Sequence, residues 1–158
     1  MPSRSTTNVV IAGLGGQGVL TAASILAEAL FRAGFDVKQS EIHGMSQRGG
    51  SVSSHVRFGD KVFSPMVPTG QADFLVVLAV DQVDVARPML RAGGMLVEPS
   101  LVESKQLTSK RSLNVALLGT LARHLDVADP LWHAAIAATL PERLHAANLR
   151  AFAIGKMP

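Results

Sequence analysis

The stretch "NVVIAGLGGQGVLTAASILAEALFRAG", Asn8–Gly34, decides the architecture of this chain. Its first part, Asn8–Gly13, is apolar and β-branched and reads as a short buried strand. A helix is predicted from Gln17 to Ala33, because its polar positions Thr21, Ser24, Glu28 and Arg32 recur every three or four residues. Gly34 is the predicted stop, since glycine tolerates the left-handed cap conformation. Between strand and helix, Gly13, Gly15 and Gly18 fit G-x-G-x-x-G. Glycines there let the chain turn tightly and let a ligand approach the backbone. The free N–H groups and dipole of the helix start favour an anion. The same glycines could instead only permit close packing of strand on helix. No Lys-Ser or Lys-Thr follows the turn, so it is not an ATP-type phosphate loop.

Working outward, "FDVKQSE" (Phe35–Glu41) is the second strand candidate. Glu41 falls near the ~20-residue spacing at which a dinucleotide fold places its ribose-binding acid. "SVSSHVRFGDKVFSP" suggests a hairpin with its turn at Gly59–Asp60. "DFLVVLAV" (Asp73–Val80) is a continuous apolar run, as expected of a strand covered on both faces. A helix is expected near Val83–Arg91, then a strand at Met95–Glu98 after a Gly93–Gly94 turn. The last third is helical: "LNVALLGTLARHL", then a helix with Asp129 as N-cap and Pro130 in its first turn, then one restarted at Pro141 and ending at Gly155. The expected fold is α/β, a three-layer Rossmann-like sandwich with a mostly parallel sheet, a β-hairpin insertion and a helical C-terminus. No linker or repeat divides residues 1–158, so a single domain is expected.

Composition narrows the chemistry. With 47% hydrophobic and 17% charged residues the chain should be globular. There is no cysteine, hence no disulfide, thiolate nucleophile, thiolate-bound zinc or self-contained iron–sulfur cluster. The five histidines form no close metal-ligand pair on one helical face. The formal charge is +3, but Lys and Arg are scattered and aromatics are only 4%, which argues against nucleic-acid binding. No apolar run reaches the ~18 residues of a membrane span, and "MPSRSTTN" lacks the apolar stretch of a signal peptide. A cytoplasmic location is expected.

"EIHGMSQRGG", Glu41–Gly50, carries more than a ribose needs. In extended chain Glu41 and His43 point to the same side, so the carboxylate can orient the imidazole. Arg48 offers a planar fork for a carboxylate or phosphate. The Gly49–Gly50 pair lets the backbone reverse or approach a neighbour, and Gln47 adds an amide. Structural roles are open for each: a hydrogen-bonded histidine, an internal ion pair, a plain turn. Asn148 shares a helical face with Leu144 and Phe152, and as a buried amide it is read first as a loop anchor, second as a ligand contact.

"GLGGQGVLTAASILAEA" and "SEIHGMSQRGGSVSSHVRFG" together closely resemble the gamma-type domain of 2-oxoacid:ferredoxin oxidoreductases. The likeness continues through "SPMVPTGQADFLVVLA", "NVALLGTLA" and "ANLRAFAIG", and is nearest to the indolepyruvate-acting branch. It implies a non-redox subunit supporting oxidative decarboxylation of a 2-oxoacid to an acyl-coenzyme A. Thiamine diphosphate and iron–sulfur clusters would lie on a large alpha subunit, and ferredoxin would be reached through the complex. This chain alone would hold no cofactor and be inactive; isolated, it could pair with a second copy. By the same resemblance, Gly13, Gly15, Gly16, Gln17 and Gly18 shape a helix-start pocket or a subunit contact, with coenzyme A the ligand to test. Glu41, His43, Gly44, Gln47, Arg48, Gly49 and Gly50 form a loop facing the partner or substrate. Among these, Glu41, His43 and Arg48 are the catalytic candidates. The stretch Glu98–Asn114 looks short against the family pattern. The alternative functions are a free-standing Rossmann-like nucleotide-binding regulatory module and a purely structural dimerisation domain.

Overall fold

The computed structural model describes residues 5–43 and 50–158, with the backbone alone of His43. The first strand, β1 (Thr7–Leu14), runs through the centre of the sheet, and Val9–Ala12 are all buried on it. The chain turns at the glycines and enters helix α1 (Val19–Arg32). Ala22, Ala23, Ile25, Leu26, Ala29 and Leu30 on α1 are wholly buried, at the i, i+3, i+4 spacing of one helical face. Gly34 ends this helix as expected. Its φ is +93°, Gly34 N–H donates to Phe31 O (3.0 Å), and Phe35 N–H donates to Leu30 O (3.2 Å). That pair of bonds is the Schellman closure, which satisfies carbonyls the helix end would leave open.

Strand β2 (Asp36–His43) pairs antiparallel with β3 (Ser51–Gly59), from Asp36 opposite Gly59 to His43 opposite Val52. β3 then pairs antiparallel with β1, while β4 (Ala72–Val77) and β5 (Leu90–Val97) add parallel on its other side. The order is β2-β3-β1-β4-β5. Four strands run one way and β3 alone is reversed, so the sheet is mostly parallel and open.

One face carries two tiers of helix. α1 and α4 (Asp129–Thr139) lie toward β1–β3, and α3 (Leu113–Ala122) with α5 (His145–Lys156) toward β4 and β5. Trp132 of α4 and Phe152 of α5 are buried between them, ring centroids 5.4 Å apart. The opposite face is thinner. It is covered by α2 (Val83–Ala86), a 3₁₀ turn on either side, and the segment 60–71, around Val10, Val67, Leu75 and Val77.

Several local expectations are corrected. No hairpin turns at Gly59–Asp60. The chain leaves the sheet there and crosses its thin face as a strap, where Pro65 and Pro68 have no N–H to give a ladder. The antiparallel hairpin is β2–β3. The helix expected over Val83–Arg91 stops at Ala86, because Pro88 permits only a 3₁₀ turn before β5. Gly93 and Gly94 lie inside β5, in a bulge where Leu90 faces Ala72 but Met95 faces Phe74. Asp129 is the first residue of α4 rather than its cap; its carboxylate pairs with the Lys156 ammonium. Gly155 does not end α5. It is buried within it, against α3.

Side chains of β2 and β3 fasten the strap, Asp36 and His55 among them. The Asp36 carboxylate accepts the Val62 N–H at 2.7 Å, a bond that holds its pKa below the usual carboxylate value. His55 on β3 is buried, and its Nδ1 accepts the Val67 N–H at 3.0 Å. That bond requires the neutral ring, and burial pushes the histidine pKa below its ordinary 6.5. The unfolded chain therefore takes up this proton first as pH falls. Stability should drop from about pH 6.5 downward toward the folded-state pKa. Urea midpoints measured from pH 8 to pH 5 should show the decline, and His55→Gln should flatten it; an equal slope in the variant would refute the assignment.

Candidate functional site

The glycine turn is built by close contacts. A Cβ on Gly13 would lie 2.8 Å from Gln17 Oε1, 3.0 Å from Val19 and 3.2 Å from Leu78, so this glycine serves packing. Gln17 Oε1 accepts the Leu14 N–H at 2.7 Å and stitches the turn shut. Gly15 N–H donates to Gly50 O at 2.9 Å, tying the turn to the base of the Glu41–Gly50 loop. Gly16 differs: its φ is +87° and nothing lies within 4 Å of where its Cβ would be. Of Gly13, Gly16 and Gly18, it alone has open space where a side chain would stand. Gly18, at φ +83°, would put a Cβ 2.5 Å from Asn114 Nδ2.

α1 begins at this turn with no side-chain cap and no acid in its first turn. Its leading N–H groups have no intrahelical acceptors, as at any helix start. The helix start borders a cleft of about 760 Å³, within the size range of ligand sites. Gly16, Gln17 and Gly18 form one wall. The facing wall is the 3₁₀ turn Lys110–Ser112 with Asn114, and Arg143 closes a third side. Three cations and no carboxylate line it. Lys110, Arg111 and Arg143 are all exposed. Asn148 also lines the cleft, and its Nδ2 donates to Leu144 O at 2.9 Å, anchoring its own helix.

The dinucleotide arrangement is not reproduced. β3 stands between β1 and β2, so Glu41 at the end of β2 lies two strand spacings, ~10 Å, from the end of β1. Glu41 is exposed, opposite Ser54 in the ladder, and does not line the cleft. β2 does extend through the backbone of His43, so the two positions alternate as expected around Ile42. Gly44, Gln47, Arg48 and Gly49, and the His43 side chain, lie outside the described residues. Gly50 is buried against the glycine turn.

The profile of the pyruvate ferredoxin/flavodoxin oxidoreductase family matches residues 8–156. The chain belongs to this family. Indolepyruvate oxidoreductase subunit IorB of Pyrococcus horikoshii is 50% identical over 91 residues, 56% of this chain and 44% of that protein. The matched stretch thus spans under half of that relative. The pyruvate/ketoisovalerate oxidoreductases common subunit gamma of Thermococcus litoralis is 34% identical over 121 residues, 73% of this chain and 65% of that one. In structure, the keto/oxoacid ferredoxin oxidoreductase gamma subunit from Geobacter sulfurreducens superposes with a TM-score of 0.80 at 25% identity, covering 94% of this chain and 95% of the other. The family likeness seen in the glycine turn and the β2–β3 loop therefore extends across the whole fold.

In this family member, the cationic wall is what sequence reasoning missed. Lys110 and Arg111 sit in Glu98–Asn114, which folds as three successive 3₁₀ turns, and Arg143 is far along the chain. Only the "SKRS" run just ahead of Asn114 offered a local signal. Among the described residues, no group of three or more His, Asp or Glu converges as a metal site, and no helix is long and apolar enough to cross a membrane.

Proposed function

We propose that this chain is the non-redox subunit of a cytoplasmic 2-oxoacid:ferredoxin oxidoreductase, acting on indolepyruvate or a related aryl or branched 2-oxoacid. One observation carries the reading of its site: three cations line the cleft that an uncapped helix start and an open glycine also border. That arrangement suits a diphosphate with further phosphate charge, and coenzyme A, a substrate of the reaction, supplies both. Gly16 leaves room for the diphosphate to approach the backbone. Lys110, Arg111 and Arg143 neutralise its charge, and Gln17 and Asn114 hold the two walls. The chain contributes binding and orientation, which lower the barrier by holding reactants in place.

Thiamine diphosphate and iron–sulfur clusters on a large partner subunit supply the carbon chemistry and the electron path. Without cysteine, this chain has no thiolate for a cluster. The Glu41–Gly50 loop is assigned to the face toward that partner, with Glu41, His43 and Arg48 as candidates for contact with its active site. Its base is joined to the glycine turn through the Gly15–Gly50 bond, which supports placing both on one working surface.

Reconstitution tests this. The chain alone should show no 2-oxoacid-dependent reduction of ferredoxin. Adding the thiamine-bearing subunit should yield acyl-coenzyme A and reduced ferredoxin together. Full turnover by the isolated chain, or no gain when that subunit is added, would overturn the assignment.

A further inference from the structure

We infer that Asn114 is a positioning residue that sets the width of the cleft by bolting the start of α3 to the start of α1. The inference rests on the coenzyme A reading above. Asn114 is one of few buried polar residues among those described. Its Nδ2 donates to Gly18 O at 3.1 Å, across 96 positions of sequence. Its Oδ1 accepts the Val115 N–H at 2.9 Å, one of the donors the beginning of α3 would otherwise leave unmet. Gly18 O is also the acceptor for Ala22 N–H at 3.0 Å, the first helical bond of α1. A single amide thus spans the first turns of two helices, satisfying a group in each.

The fit is reciprocal. Any side chain at position 18 would collide with Asn114: the Cβ would stand 2.5 Å from Nδ2 and 3.3 Å from Cγ. The left-handed φ of +83° there also excludes most side chains at low cost. Gly18 is therefore the socket for this amide as well as part of the turn. The cations follow from the same bolt. Lys110 and Arg111 lie in the 3₁₀ turn that runs directly into α3. That turn is closed on itself by Ser109 Oγ accepting Arg111 N–H (3.1 Å) and Ser112 Oγ donating to Ser109 O (2.7 Å). It runs without a break into the first turn of α3, which carries Asn114. Fixing Asn114 to Gly18 fixes the distance between the cationic wall and the helix N-terminus it faces.

Loss of the bolt should loosen ligand binding without touching the reaction chemistry. In the assembled enzyme, Asn114→Ala should raise the KM for coenzyme A about tenfold, the scale of one lost hydrogen bond between fixed walls. The KM for the 2-oxoacid and kcat at saturating coenzyme A should stay within about twofold. Asn114→Asp keeps the acceptor for Val115 N–H, cannot donate to Gly18 O, and adds a negative charge, so it should weaken coenzyme A more than the alanine does. Calorimetric titration of coenzyme A into the full chain gives the same order without turnover. If Lys110, Arg111 and Arg143 replacements weaken coenzyme A but both Asn114 variants bind it as the parent does, the positioning role is refuted and the cleft reading survives. If the cation replacements also leave coenzyme A binding unchanged, the cleft reading fails and the positioning role falls with it. If Asn114→Ala lowers kcat and both KM values shift together, the residue is merely structural and the inference is wrong.

Discussion

Gly155→Ala should be strongly destabilising, costing about 3 kcal/mol or more of stability. A Cβ there would sit 1.7 Å from the carbonyl oxygen of Ala116 and 2.6 Å from its carbon. Both are backbone atoms of α3, so no side chain can swing aside. The two helices would have to part along their most intimate contact. Thr120 Oγ1, which donates to Gly155 O at 2.9 Å, would lose its geometry in the same movement. Gly119 makes the reciprocal approach, with a would-be Cβ 2.2 Å from Phe152 O. At ~2–4 °C per kcal/mol for a chain of this size, the melting temperature should fall by roughly 6–12 °C. Calorimetric scans of the two proteins decide it. A variant melting within two degrees or so of the parent would show that the helices are not packed backbone to backbone.

The second large effect concerns binding. Replacing Lys110, Arg111 and Arg143 together by alanine should weaken coenzyme A by about a hundredfold or more, since charge-assisted bonds to phosphate are the strong kind and three are removed. The folded chain should scarcely notice, because all three side chains are exposed. Affinity of the parent should fall as ionic strength rises, and that salt dependence should flatten in the triple variant. Titration calorimetry at two salt concentrations reads both. Unchanged affinity in the triple variant would remove coenzyme A from this cleft.

What could be foreseen from the residues follows the range of the interactions involved. β1, α1 and the stop at Gly34 rest on local periodicity and backbone preference, and they stand nearly where the sequence places them. The continuous apolar run of β4 was legible for the same reason. The insertion of β3 between β1 and β2 was not, because strand order depends on pairing between distant segments. That insertion is what carries Glu41 away from the turn and cancels the dinucleotide arrangement. Glycine was ambiguous in three ways. Gly155 looked like a helix stop and is a helix contact. Gly93 and Gly94 looked like a turn and form a bulge. Within the glycine turn itself, packing and ligand access were both open; an added Cβ would meet close neighbours at Gly13 and Gly18 and open space at Gly16. The cationic wall stayed hidden because its members are separated along the chain and meet only when α3 and α5 close together.

The position of β1 in the sheet also bears on how the protein is made. Both strands that hydrogen-bond to it, β3 and β4, follow it in the chain. As the polypeptide leaves the ribosome, Val9–Ala12 must therefore wait, greasy and unpaired, until synthesis has passed residue 59 for one neighbour and residue 77 for the other. Nascent chains stalled short of that point should be the ones most prone to associate through this strand.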